Sequence, residues 1–138
     1  MTIDIKSLAP KWQKKRKEAG VYKTQEWGGK PKYYVLDMFP YPSGAGLHVG
    51  HPKGYVASDV IARKKMLEGY NVLHPMGFDT FGLGTEQYAI DHKMKPQVVA
   101  EQNIKTYISQ LEKIGFSYDW ERSFSTADPE FYKWTQMI

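Results

Sequence analysis

The sequence contains no cysteine, which excludes disulfide bonds and cysteine-ligated metal sites. It also contains no apolar run approaching the roughly 18 residues of a membrane-spanning helix. Because the N-terminus lacks the apolar stretch of a signal peptide, we expect a cytoplasmic protein that contacts no membrane. Aromatic residues are plentiful, with ten tyrosines and four tryptophans among 138 residues, which predicts a folded chain with one core.

Acidic residues are scarce at the start of the chain. Residues 1–32 hold nine lysines and arginines against three acids, although the whole chain has a net charge of only +4. A basic arm can contact a phosphate backbone, but the cluster Lys11–Lys17 is more simply explained as the solvated face of a helix. We therefore predict a basic N-terminal helix and loop over residues 1–32, with the helix at 6–19 ending at Gly20.

Residues 33–138 have the pattern of an α/β domain. The nearly continuous apolar run 32–39 predicts a strand buried on both faces, as in a parallel sheet. After a turn rich in proline and glycine, Pro52 requires the next helix to begin close to His48–His51, because proline is tolerated only in the first turn. With a second strand at 71–74, the order is that of a βαβ unit. The predicted fold is a partial Rossmann-like parallel sheet with flanking helices.

Two further helices are predicted from periodicity and end signals. The helix that follows the turn is expected to reach about Glu68, with an apolar stripe formed by Val56, Val60, Ile61 and Leu67. A second amphipathic helix should begin after Pro96 and end at Gly115, with its stripe at Ile104, Tyr107, Ile108, Leu111 and Ile114. Asp128 and Pro129 predict the start of a last helix, which we expect to be cut short, so that the chain forms part of a larger domain.

The turn between the first strand and its helix is the predicted ligand site. Ligands bind beyond the carboxyl ends of parallel strands, and phosphates favour helix N-termini, where N–H groups and the helix dipole meet. Gly44 and Gly46 allow close approach of a ligand to the backbone, and His48 and His51 should lie on one side of the helix. A structural hydrogen bond or a metal site are the alternatives for the histidines. We predict no protein metal site, because the remaining zinc ligands are missing from the sequence.

Three sequence motifs resemble the leucyl-tRNA synthetase family of class I aminoacyl-tRNA synthetases. They are Met-Phe-Pro-Tyr-Pro-Ser-Gly at 38–44, His-Val-Gly-His at 48–51 and Asn-Val-Leu-His-Pro-Met-Gly-Phe-Asp at 71–79. The histidine motif alone marks the whole superfamily, whereas its combination with the segment 38–44 is far more specific. The resemblance extends over nearly the whole chain, including Asp119-Trp120 and Trp134-Thr135-Gln136.

The resemblance implies a role for particular residues. Catalytic contacts to the ATP phosphates would fall to His48 and His51, with Gly44 and Gly50 also in the ATP site. The carboxylate of Asp79 would bind the leucine ammonium group, shared with the backbone at Phe39. The leucine side chain would occupy a pocket that is lined in part by Met38 and Tyr41.

The implied reaction is adenylation of leucine by ATP with Mg²⁺, after which the full protein transfers leucine to tRNA(Leu). Residues 33–138 would then be the N-terminal part of a Rossmann-like catalytic domain that binds ATP and the amino acid, truncated at its C-terminus. The family's Lys-Met-Ser-Lys-Ser loop has no counterpart here, so the rest of the synthetase chain would be needed and this piece should be weakly active or inactive. The family's Gly-Leu-Pro-Ala-Glu is replaced by Gly-Leu-Gly-Thr-Glu at 82–86.

Two other functions remain open at this stage. One is a non-catalytic, synthetase-like module that binds RNA or a protein partner through the basic arm and exposed apolar faces. The other is a different nucleotidyltransferase of the same superfamily, which the segments 38–44 and 71–79 disfavour.

Overall fold

The computed structural model describes residues 4–44 and 46–138, so Ala45 of the predicted turn lies outside the described residues. Helices and short strands alternate along the described chain. In order, they are α1 (Ile5–Glu18), β1 (Lys32–Tyr34), α2 (Gly50–Leu67), β2 (Asn71–Leu73), β3 (Gly77–Phe78), α3 (Leu83–Asp91), α4 (Pro96–Ile114), a 3₁₀ turn (Trp120–Arg122), β4 (Phe124–Ser125) and α5 (Pro129–Met137).

The strands form two parallel pairs that share one central segment, residues 71–79. In the first pair β1 lies beside β2, with Tyr33 opposite Val72, and in the second β3 lies beside β4. Main-chain hydrogen bonds extend both pairs, from Val35 N–H to Leu73 O and from Thr126 N–H to Phe78 O. The α/β prediction, with parallel strands joined through a helix, is confirmed.

The expectation that the first strand is buried on both faces was wrong. The regular strand ends at Tyr34, and the extended chain beyond it alternates in burial: Val35 and Asp37 are buried, whereas Leu36 and Met38 are exposed. Among the described residues, α2 covers one face of this segment, where Ala62 packs with Val35 and Val72. Within residues 4–44 and 46–138, nothing comparable covers Leu36 and Met38 on the other face.

The apolar stripe predicted for α2 was also wrong, although the helix itself is confirmed and Pro52 lies in its first turn. Its buried residues are Tyr55, Asp59 and Ala62. The predicted stripe lies on the exposed surface, at Val56, Val60, Ile61 and Leu67. A carboxylate can occupy the buried face because Asp59 accepts hydrogen bonds from Arg63 Nε at 2.7 Å and from the Ser117 backbone at 2.6 Å.

Helix α4 follows its prediction closely, from Pro96 to the left-handed cap at Gly115. Its inner face enters the main core, in which the fully buried Leu111 is surrounded by large side chains. These are Tyr55, Met76, Phe78, Tyr107, Phe116 and Tyr118. Ile114, predicted on the same stripe, is about half exposed. No described helix combines the length and the apolar character that crossing a bilayer would require.

Helix α5 begins as predicted, with Asp128 at the N-cap and Pro129 in the first turn, but the cap works differently. The Asp128 carboxylate accepts from Ser125 N–H at 2.8 Å and makes no side-chain bond to the helix. Helix α3 was not predicted from the sequence. Glycine is unfavourable in helices and occurs at positions 82 and 84, and apolar residues such as Leu83 and Ile90 lie on the exposed side of α3 rather than on one buried stripe. Gly84 adjoins the segment 38–44, since a Cβ there would lie 3.1 Å from Ser43 Cβ.

Candidate functional site

The predicted site residues are gathered where the extended chain after β1 turns into α2. The backbone of the chain after β1 is held on two sides. Tyr55 of α2 donates a hydrogen bond to Met38 O at 2.9 Å, and Asp79 N–H donates to Pro40 O at 3.0 Å. Burial raises the pKa of Tyr55 to about 12, so its hydroxyl keeps its proton and remains a donor at neutral pH. The turn thus lies at the carboxyl edge of the strands, as expected for a ligand site.

The two histidines of the turn lie against each other. The ring centroids of His48 and His51 are 3.9 Å apart. His48 Nδ1 accepts from Gly50 N–H at 3.1 Å, and His51 Nδ1 accepts from His48 N–H at 3.2 Å. Because both Nδ1 atoms act as acceptors, the neutral rings carry their protons on Nε2. Two Nε2–H donors on adjacent rings suit the oxygens of a phosphate.

The backbone N–H groups at the start of α2 are not free to bind an anion, contrary to the expectation from the sequence. Gly50 N–H is bound to His48 Nδ1, His51 N–H donates to His48 O at 3.0 Å, and Pro52 has no N–H. The first-turn donors are therefore satisfied by the turn itself. The imidazole rings and the helix dipole, rather than these amides, are left to meet an anion.

The protonation of His51 is shifted by its surroundings. Partial burial, followed by the proximity of His48, lowers the pKa of His51 below its ordinary value. At neutral pH this ring is consequently neutral and donates through a single N–H. Tyr55 and Tyr107 flank it, with ring centroids 6.0 and 6.1 Å from that of His51.

Replacing Gly50 with alanine is expected to displace the His48 ring while α2 remains folded. A Cβ at Gly50 would lie 2.8 Å from His48 Cε1 and 2.9 Å from its Nδ1, which is closer than real Cβ contacts. The NMR signals of both imidazole rings should therefore shift.

The matched control is Gly54→Ala in the same helix, where a Cβ would meet nothing within 4 Å. We expect this control to stabilise the chain by about 0.5–1 kcal/mol and to leave both ring signals in place. Unchanged ring signals in Gly50→Ala, measured by the same NMR spectra, would contradict the close contact between Gly50 and the His48 ring.

The residues predicted to bind an amino acid are only partly brought together. Asp79 is half-buried directly after β3, and its Oδ1 accepts from Thr126 Oγ1 at 3.3 Å. Phe39 belongs to the core rim, because its ring packs edge to face against Phe124 with centroids 5.3 Å apart. The side chains of Met38 and Tyr41 are exposed and enclose no pocket by themselves among the described residues.

Four supporting residues were missed by the sequence reasoning. Thr126 contacts Asp79, as described above. The other three lie on one face of α4 and bond to the backbone of the turn; they are Asn103, Tyr107 and Gln110. The spacing of 103, 107 and 110 marks one helix face, but the sequence gives no sign that this face contacts a turn 61 to 66 residues earlier.

A cleft of about 470 Å³ adjoins Asp79 through Thr126. Aromatic rings dominate its walls, which are formed by Phe81, Phe131, Tyr132, Thr126, Thr135 and Gln136. A second cavity, of about 520 Å³, lies away from the histidines, between α1 and the segment that follows α4.

A parallel α/β fold with paired histidines at the carboxyl edge of its strands is typical of a site for a phosphate-bearing ligand. The family model for the class I tRNA synthetases (M) matches residues 33–138. The chain belongs to this family.

Within the family, the chain is similar to leucine–tRNA ligases. It is 62% identical to that of Cytophaga hutchinsonii over 128 residues, or 93% of the chain, and 57% identical to that of Parabacteroides distasonis over 136 residues, or 99% of the chain. In both cases it covers 14% of the relative, so the chain spans about one seventh of the length of these proteins.

Solved structures agree with this similarity. The LeuRS of Agrobacterium radiobacter K84, solved as a ternary complex with tRNA and LeuAMS, superposes with a TM-score of 0.88 at 35% identity, covering 94% of this chain and 17% of that one. Methionyl-tRNA synthetase of Mycobacterium tuberculosis, in complex with methionyl-adenylate, gives a TM-score of 0.68 at 33% identity, covering 75% of this chain and 20% of that one.

Proposed function

We propose that this chain forms the histidine-bearing part of the adenylation site of a leucine–tRNA ligase. The observation that carries the proposal is the pair of imidazole rings 3.9 Å apart at the start of α2, on the carboxyl edge of parallel strands. Both Nε2–H groups would donate to phosphate oxygens of ATP. Gly44, around whose Cβ position nothing lies within 4 Å, and Gly50 would allow the nucleotide to approach the backbone.

Leucine would bind on the other side of the turn. Asp79 supplies the carboxylate for its ammonium group, helped by the backbone at Phe39, and Met38 and Tyr41 would line part of the side-chain pocket. The support for this assignment is the hydrogen bond from Asp79 N–H to Pro40 O, which holds the backbone of Asp79 beside the segment 38–44.

The reaction needs no nucleophile from the protein. A leucine carboxylate oxygen attacks the α-phosphorus of ATP in line, the new O–P bond forms, and the bond to pyrophosphate breaks. The chain contributes by positioning the two substrates and by stabilising negative charge on the phosphate oxygens through His48 and His51. Mg²⁺ prefers oxygen ligands, whereas these residues offer nitrogen, so the ion would be held by the ATP phosphates and supply charge neutralisation there.

The remainder of the ligase chain would complete this site and bind tRNA(Leu), in the cytoplasm. We divide the present chain into a basic helix and loop, 1–32, and the catalytic part, 33–138. Several lysines of the basic arm form ion pairs with carboxylates: Lys14 with Glu18, Lys17 with Glu112 and Lys23 with Glu121. This pairing favours a solvated surface for the arm over the alternative of a separate RNA-binding module.

Binding measurements on substituted chains test the proposal. Replacing His48 with alanine should weaken binding of Mg-ATP at least about tenfold, since a hydrogen bond to a charged group is lost. Asp79→Asn should leave ATP binding unchanged and weaken binding of a leucyl-adenylate analogue by a similar factor, because only that ligand carries an ammonium group. Calorimetric titration of both ligands measures the two effects.

Leucine-dependent pyrophosphate exchange complements these titrations. The 138-residue chain alone should exchange weakly or undetectably, because it holds part of the site. Binding or exchange that is insensitive to both substitutions would refute the assigned site. Salt-sensitive tRNA binding in the absence of any nucleotide binding would instead support the RNA-binding module.

A further inference from the structure

The turn that precedes the histidines has little main-chain structure of its own. Among the described residues, 41–44 and 46–47 make no hydrogen bond to another backbone group. Pro42 cannot donate one, and none of the described residues between Tyr34 and the start of α2 belongs to a strand. Something other than a sheet must therefore hold this segment in place.

Helix α4 supplies the missing contacts. Asn103 Nδ2 donates to Pro42 O at 2.8 Å, and Tyr107 Oη donates to Tyr41 O at 3.1 Å. Gln110 Oε1 accepts from Leu47 N–H at 2.7 Å. Because these three α4 residues are four and three positions apart, they lie on one helix face, and each binds a backbone atom rather than a side chain.

The fit of the turn over Gln110 depends on Gly46. A Cβ at Gly46 would lie 2.5 Å from Gln110 Nε2, so only glycine leaves room for the amide that binds Leu47. Tyr107 is itself anchored, being 2% exposed, and its ring also packs edge to face against His51, with ring centroids 6.1 Å apart. Burial raises the pKa of Tyr107, so its hydroxyl keeps the proton that it donates.

We infer that the α4 face of Asn103, Tyr107 and Gln110 positions the turn and thereby sets where His48 and His51 meet the nucleotide. They are positioning residues, since they act on the site through the turn backbone. The inference rests on the proposed function for its nucleotide, but the placement of the turn can be measured without any ligand.

The test compares three variants of similar side-chain size with one control on the same helix. Gln110→Met removes the acceptor for Leu47 N–H, whereas Gln110→Glu retains it. Tyr107→Phe removes only the hydroxyl. Thr106→Ala is the control, because it removes a side-chain hydrogen bond, to Gln102 O, at an exposed position of the same helix.

Two readouts are collected on each folded variant, with circular dichroism verifying the fold. Hydrogen exchange of the Leu47 amide and the imidazole NMR signals report the turn in the ligand-free chain, and titration with Mg-ATP reports the phosphate site. Gln110→Met should speed exchange of the Leu47 amide and shift the NMR signals of both imidazole rings. Gln110→Met and Tyr107→Phe should each lower the affinity for Mg-ATP roughly three- to tenfold. Gln110→Glu should restore Leu47 protection, and Thr106→Ala should change neither readout.

The outcomes separate this inference from the proposed function. Unchanged Leu47 exchange and ring signals in folded Gln110→Met would overturn the positioning role, as would altered ring signals with unaltered ATP affinity. If the unsubstituted chain bound no ATP, the proposed function would fail, while the exchange and ring measurements would still decide whether α4 places the turn.

Discussion

Replacing Asp37 with alanine is expected to lower the free energy of unfolding by about 3 kcal/mol or more, since polar groups buried in the core would lose their acceptor. Asp37 is 9% exposed, and its carboxylate accepts from Tyr118 Oη at 2.9 Å, from the Ser58 hydroxyl and from the ring of His74, whose Nε2 is 3.1 Å away. His74 and Tyr118 are themselves buried, so water cannot readily replace the carboxylate. Urea unfolding of the two chains measures the loss.

Two controls define what this loss means. Asp37→Asn keeps an acceptor oxygen and the side-chain size, so its cost should fall between those of the native chain and Asp37→Ala. Asp91→Ala removes an exposed carboxylate that accepts only from Gln87, at 2.8 Å among the described residues, and should stay within about 0.5 kcal/mol of the native chain. A loss below about 1 kcal/mol for Asp37→Ala would show that the network is not needed for stability.

The same carboxylate gives the chain a defined dependence on pH. Burial alone would raise the pKa of Asp37, but the hydrogen bonds from His74, Ser58 and Tyr118 together outweigh it and lower the pKa. The resulting stability is fully present above the unfolded pKa, about 4, and is lost as the pH falls through the lower folded value. Asp37→Asn should therefore show a weaker loss of stability on acidification below about pH 4 than the native chain does.

Leu111→Ala should reduce the free energy of unfolding by about 2–5 kcal/mol, because it opens a cavity in the centre of the main core. Leu111 is completely buried and is surrounded by aromatic rings and Met76, which cannot collapse far into the vacated volume. The measurement is again urea unfolding, with the slope of the transition compared to confirm that the native state is unchanged.

Ile114→Ala is the matched control, three residues further along the same predicted stripe. Ile114 is 49% exposed, so its truncation should cost less than about 1 kcal/mol. Equal losses at the two positions would show that α4 packs in a different rotation about its axis from that described above.

The contrast between Leu111 and Ile114 shows which features of α4 can be predicted from the sequence. The bounds of α4 were predicted correctly because its signals are local: a proline at the start, apolar residues at three and four apart, and a glycine that adopts the left-handed cap. The same periodicity could not distinguish Leu111 from Ile114. Which of the two is buried depends on how much of α4 is covered by the core residues packed against it, which come from α2, β3 and the segment after α4.

Helix α2 shows a stronger failure of the same kind. Its ends were predicted from Pro52 and Gly69, yet its buried face was not, because apolar character alone favoured Val60 over Asp59. A buried carboxylate is stable only where distant donors reach it, and Ser117 lies 58 residues away along the chain. The residues of α2 alone therefore do not indicate that Ser117 will bind Asp59.

The sequence by itself determined the parallel α/β class, the bounds of α2 and α4 and the pairing of His48 with His51, because the pattern that indicates each lies within short stretches of the chain. Only the tertiary structure decided that Asp59 lies on the buried face of α2 and that α4 holds the turn before the histidines. These features depend on hydrogen bonds and packing between segments that are 58 to 66 residues apart, and the geometry of such contacts exists only once the chain is folded.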